Sequence, residues 1–226
     1  MNNVLAIEKK LFDALEDARQ AIRMGADGAL SVCISKGNKK LGDVANVSLL
    51  PFVTCPHNVH CKGVCYAAKL ANLRPSVLRA WARNTAILEM CPGYFWQAVE
   101  LAVSTSRYFR FHVSGDIPNK EYLEKMIELA RKYTYCEILV FTERHNLVND
   151  WISENGSLPE NLHITLSGGY CAVYNPHNLP VTRIIDDRHP AEDDWKICPG
   201  NCINCACRGT GCWTLGKGET IAFKKH

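Results

Sequence analysis

The chain has 226 residues, 47% hydrophobic and 22% charged, with a formal net charge of +3. That is an ordinary globular composition with room for a substantial core, and so small a charge does not by itself call for nucleic acid. No apolar run reaches the roughly 18 residues a membrane span needs, and residues 1–10 lack the basic and apolar regions of a secretory signal, so the expected location is the cytoplasm.

In chain order, residues 4–24 carry Val4, Leu5, Leu11, Leu15, Ala18 and Ile22 at helical spacing, an amphipathic packing helix stopped by Gly25. Residues 28–35 read as a short strand, and 36–40 as a turn carrying Lys36, Lys39 and Lys40. Residues 46–53 form the strand that delivers Thr54, Cys55, His57, His60, Cys61 and Cys65. Residues 66–90 are helical, restarting at Pro75 because proline is tolerated in a first turn, and 95–104 are helical again. A β-rich run over 107–113 ends at Ser114-Gly115-Asp116; alternation turns His112 away from Phe111 and Val113, as a functional or a core histidine.

Residues 120–133 form a helix with Tyr122, Leu123, Met126, Ile127 and Ala130 on one stripe. Then come an apolar strand, 136–141, ending at Thr142-Glu143-Arg144; a short helix, 148–154; a strand, 162–166, ending at Ser167-Gly168-Gly169; and another strand, 180–185. Glu143 and Arg144 either contact a substrate or pair with each other. Strands alternating with helices of this length predict an α/β fold of parallel βαβ units, a full or partial parallel (β/α) barrel with functional groups at the strands' carboxyl ends. Residues 1–190, including the loop 54–68, make up that barrel, and 191–226 a cysteine-rich C-terminal segment folded over the strand ends.

The twelve cysteines are unevenly placed. Cys55, Cys61 and Cys65 have the spacing C-x5-C-x3-C; Cys198, Cys202, Cys205, Cys207 and Cys212 crowd the tail; Cys33, Cys91, Cys136 and Cys171 are scattered. In a reducing compartment such clusters are metal ligands, and isolated cysteines are small buried hydrophobes. The tail has no apolar period, so a metal is expected to organise it. Three thiolates are one fewer than closed zinc or electron-transfer iron–sulfur sites use. Either the loop holds a cluster with one open iron and four tail cysteines hold a closed one, with one of Cys202, Cys205 and Cys207 spare, or a tail cysteine crosses over and all eight are ligands. His57 and His60 are further candidates for a fourth ligand. Zinc competes for the tail through Cys202, Cys205, Cys207 and Cys212, and Lys217, Lys224, Lys225 and His226 would then suggest a nucleic-acid contact. Trp213 is placed to shield a cluster from water.

Cys55-Pro56, Cys61, Cys65-Tyr66-Ala67, the run from Phe111 to Asp116, and the final Cys198-Pro199, Cys202, Cys205 and Cys212-Trp213 with His226 resemble the phage-encoded gene-product-eighty-eight-like family, over residues 36–226. That family is similar in architecture to the radical S-adenosylmethionine enzymes, in which three cysteines after the first strand hold a 4Fe–4S cluster. The resemblance implies one or two 4Fe–4S clusters on Cys55, Cys61, Cys65 and the tail cysteines. It also implies a site for S-adenosylmethionine at Ser114, Gly115 and Asp116, with Asp116 accepting the ammonium group, and redox or radical chemistry in the host cytoplasm. The spacing departs from that superfamily's C-x3-C-x2-C, and Asp116 stands where it has glutamate. The alternative is a non-enzymatic iron–sulfur or zinc module for electron transfer or for a nucleic-acid or protein contact. The substrate or electron donor is not legible.

Overall fold

The computed structural model describes residues 2–56 and 61–225. His57, His60 and His226 lie outside the described residues. Among those described, eight strands form one sheet in the order β1-β2-β3-β4-β5-β6-β8-β7. They are β1 (Ile34–Ser35), β2 (Ala45–Val47), β3 (Tyr108–Phe111), β4 (Glu137–Thr142), β5 (Leu162–Gly169), β6 (Val181–Ile185), β7 (Lys196–Ile197) and β8 (Thr220–Lys224). The β1–β2 pair is antiparallel and the rest are parallel. From β2 to β6 each strand lies beside the next in the chain, with helices crossing over between β2 and β5 and a helix-free segment, 170–180, joining β5 to β6. The sheet is not closed: β1 and β7 stand at opposite edges.

Helices α1 (Asn2–Arg23), α2 (Tyr66–Leu73), α3 (Pro75–Met90), α4 (Pro92–Ser104), α5 (Lys120–Lys132) and α6 (His145–Asn155) precede the short α7 (Cys202–Arg208). Alternation along the central strands separates two faces. Phe109, Phe111, Ile138, Val140, Leu162, Ile164 and Leu166 point into the main core with Phe95 and Val99 of α4, Leu123 and Met126 of α5 and Trp151 of α6. Tyr108, Leu139 and Phe141 point the other way, into a smaller core with Leu41, Val44, Cys205, Ala206 and Trp213. The helix α1 packs on α2 and α3 as a separate apolar layer around Leu11, Leu15, Leu50 and Ala82. Among the described residues no helix is long and apolar enough to cross a membrane.

Three expectations are corrected. Strand β2 ends at Val47 rather than running to 53, because the backbone of Leu49 and Leu50 leaves the sheet ladder. Their backbone is bound otherwise: the Leu49 N–H donates to the Ser114 carbonyl at 3.0 Å, and the Leu50 N–H to Thr85 Oγ1 at 2.9 Å. The strand expected over 162–166 runs on to Gly169, so that Ser167-Gly168-Gly169 form the carboxyl end of β5 itself, with a register irregularity against β6. The tail is not without apolar packing. Its α7 has Cys205 and Ala206 buried, and β8 inserts between β6 and β7. It therefore covers the second face of the sheet rather than only the strand ends.

Candidate metal centre

Parallel strands share a carboxyl end, and there the expected motifs meet. The Thr142 hydroxyl donates to Asp116 Oδ1 at 2.5 Å, the Ile117 N–H to Oδ1 at 2.7 Å and the Glu143 N–H to Oδ2 at 2.8 Å. The Asp116 N–H in turn donates to Thr54 Oγ1 at 3.1 Å. Arg144 closes the arrangement, its Nε on the Ile117 carbonyl at 2.9 Å and its Nη2 on the Thr54 carbonyl at 3.0 Å. Asp116 is buried and its carboxylate binds the loop after β3 to the end of β4, while Arg144 ties both to the residue before Cys55. Gly115 adopts φ +80°, and a Cβ there would stand 2.7 Å from Thr54 Oγ1 and 2.8 Å from Leu49 Cβ. A larger residue would push the two loops apart. Ser114 Oγ is buried with no hydrogen-bond partner among the described residues. Burial raises the Asp116 carboxyl to about 6 against the pull of its three donors.

His112 does not follow the strand's alternation. It adopts φ +59°, ends β3 and turns into the main core, with Nε2 3.0 Å from the Tyr122 hydroxyl. Burial drives its pKa down to about 3, so it is a neutral core histidine. As pH falls below about 6.5 the unfolded chain takes up a proton that folded His112 refuses until near pH 3, and stability is lost over that window. At about pH 5 the loss should be roughly 2 kcal/mol. Melting wild type and His112→Asn, which tolerates positive φ but does not titrate, between pH 7 and about 5 checks this, since the variant should lose that share of the acid sensitivity.

The loop cysteines sit against this network. Cys65 caps α2, its Sγ accepting from the Ala68 N–H at 3.5 Å. Cys61 and Cys65 interact through their thiols, which holds Cys65 below and Cys61 above the ordinary thiol range. Cys55 is pushed up to about 12 by burial, then by the neighbouring Asp116 carboxylate. Cys55 and Cys65 also raise Cys61, so the three thiols share one electrostatic neighbourhood.

In the tail, α7 explains which cysteines gather. Residues three apart share a helix face, so Cys202 and Cys205 point together and Cys207 points elsewhere. Cys207 is exposed, while Cys205 is buried. Cys198, Cys202 and Cys205 all oppose ionisation of Cys212, whose thiol burial first pushes up to about 12. Cys198 and Cys202 likewise raise Cys205, after burial. The lysine turn seats this helix: Lys40 and Leu41 carbonyls accept from the Cys202 and Ile203 N–H groups, both at 3.0 Å. Trp213 donates Nε1–H to the Cys202 carbonyl at 3.1 Å and packs on Tyr108, ring centroids 5.3 Å apart, closing one side.

Among the described residues, no three His, Cys, Asp or Glu side chains converge at metal-ligating geometry. The donor chemistry nevertheless suits a soft metal. Buried thiols that suppress one another's ionisation are the set a cation would convert to thiolates. Cys198, Cys202, Cys205 and Cys212 could supply four such ligands, and Cys55, Cys61 and Cys65 three. Thr54 and Arg110 were not singled out from sequence as holding this region, and Arg144, expected to contact a substrate or pair with Glu143, binds the Ile117 and Thr54 carbonyls. The available signal was a charged residue between Phe109 and Phe111, in a strand apolar enough to be covered on both faces.

No curated protein and no solved structure matches the chain. The family model described as Gene product 88 matches residues 18–218, a span from within α1 to just before β8, and the chain belongs to that family.

Proposed function

We propose that the protein is an iron–sulfur protein built on a radical-S-adenosylmethionine-like partial barrel and acting in redox or radical chemistry. Cys198, Cys202, Cys205 and Cys212 hold a closed 4Fe–4S cluster, and Cys55, Cys61 and Cys65 hold a second with one open iron. Cys207 is the spare cysteine. What supports this reading is that Cys198, Cys202 and Cys205 each neighbour Cys212, without converging at metal-ligating geometry, while Cys207 is exposed, and four is the number a closed site takes. Bound there, a cluster would supply one-electron chemistry. The chain's own residues hold its thiolates, keep water away through Trp213 and fix the loop through Asp116 and Arg144.

S-adenosylmethionine remains the proposed partner of the open site, through Ser114 Oγ and the backbone around Gly115. Asp116 favours a second reading, a non-enzymatic cluster or zinc module, because its oxygens already accept three protein hydrogen bonds. Anaerobic purification with iron, sulfide and zinc analysis separates the metals. Brown protein bleached by dithionite is the expected result; colourless zinc-loaded protein would end the iron reading. Reduction with S-adenosylmethionine should then yield 5′-deoxyadenosine, and its absence from cluster-replete protein would select the electron-transfer module.

A further inference from the structure

Arg110 is a charge set in the middle of the sheet. Its strand neighbours Phe109 and Phe111 are fully buried on the helix side, so alternation sends Arg110 to the face the tail covers. Its guanidinium lies over the Phe141 ring, 4.7 Å from the centroid, and Nη1 stands 3.8 Å from Cys202 Sγ. Its Nε is buried and has no hydrogen-bond partner among the described residues. Among the described residues no carboxylate forms an ion pair with it. A half-buried cation whose Nε is buried without a partner and which has no counter-charge is a costly choice, and no packing need is met by a guanidinium that an apolar side chain would not meet. Four thiolates around a 2+ core carry a net charge of about −2, which is the missing counter-charge.

We infer that Arg110 is the positioning residue of the tail centre, holding its thiolates through Cys202 and setting how firmly the metal is kept. The inference rests on the metal reading of the tail and deepens it. Phe141 fixes the guanidinium plane from one side, with Nη1 towards the Cys202 sulfur.

The test compares full-length, metal-loaded wild type with Arg110→Gln and Arg110→Lys, following release of the tail metal to excess chelator. Arg110→Gln should load the same amount of metal per chain but release it about 10- to 100-fold faster, the range for loss of an outer partner of a ligand. Arg110→Lys keeps the charge but not the plane stacked on Phe141, and should release metal faster than wild type but more slowly than the neutral variant. If Arg110→Gln does not fold, Arg110→Met, which keeps an apolar stem over Phe141, takes its place as the neutral variant. Neutral variants that release at the wild-type rate would overturn the role of Arg110 alone, as would a lysine variant no slower than the neutral one. Wild type that loads no more metal than Cys212→Ala would overturn the tail centre itself, and the role of Arg110 with it.

Discussion

Alanine at Cys198, Cys202, Cys205 or Cys212 should each remove one centre's worth of metal, while Cys207→Ala leaves the metal content unchanged. The four side chains lie in one another's field and Cys207 is turned to solvent, so only the former can share an ion. Losing a structural metal forfeits on the order of 10 kcal/mol of binding free energy. The main core draws no residue from 198–213, so the loss should be local. Residues 198–213 should exchange amide hydrogen freely, while β8, held on both sides by β6 and β7, stays protected. Cys55→Ala, Cys61→Ala and Cys65→Ala should remove the other centre and leave the tail's metal in place. Replacing Cys33, Cys91, Cys136 or Cys171 should change no metal, and Cys136 in the main core should show only the cost of a cavity. Iron counts on these single variants decide the ligand sets. Full loss of both centres at each of the eight clustered cysteines would mean shared ligation and would end the open-iron reading.

What the sequence made legible follows from how local the controlling interaction is. The stripe through Tyr122, Leu123, Met126, Ile127 and Ala130 predicts a helix over 120–133, and α5 spans Lys120–Lys132, capped by Asn119 Oδ1 on the Tyr122 N–H at 2.9 Å. The strand at 136–141 and β4 agree to within a residue for the same reason. The apolar run 46–53 misleads because a fully buried segment has no period to distinguish a strand from a loop packed between helices. Thr85 and Ser114, distant in sequence, decide the backbone there. The tail looked coreless because its apolar partners, Leu41, Val44 and Leu139, come from elsewhere in the chain. Which of Cys202, Cys205 and Cys207 stands apart was hidden for a simpler reason. Without a helix over 202–208, spacings of three and five carry no direction; with one, they put Cys207 on the other side.

Asp116→Ala should destabilise the protein by about 3 kcal/mol or more in the absence of any cofactor, because three donors lose their acceptor in a buried site. Asp116→Asn keeps the oxygen that serves Thr142 and Ile117 but sets an amide N–H against the Glu143 N–H, so a loss of about 1–2 kcal/mol is expected from that single conflict. The damage should spread towards the cysteine loop, since Thr54 receives the Asp116 N–H on one side and Arg144 on the other. Protease sensitivity near residues 54–65 should therefore rise in the alanine variant before global unfolding. Urea unfolding and limited proteolysis on ligand-free protein measure both effects. A residue kept for an ammonium group would behave oppositely. Its removal would relieve the penalty of burying a carboxylate and leave the ligand-free protein as stable as wild type, or more so. Wild-type stability in Asp116→Ala would thus assign this carboxylate to a ligand, whereas the expected loss would leave Ser114 Oγ and the backbone at Gly115 to recognise whatever meets the open side of the loop centre.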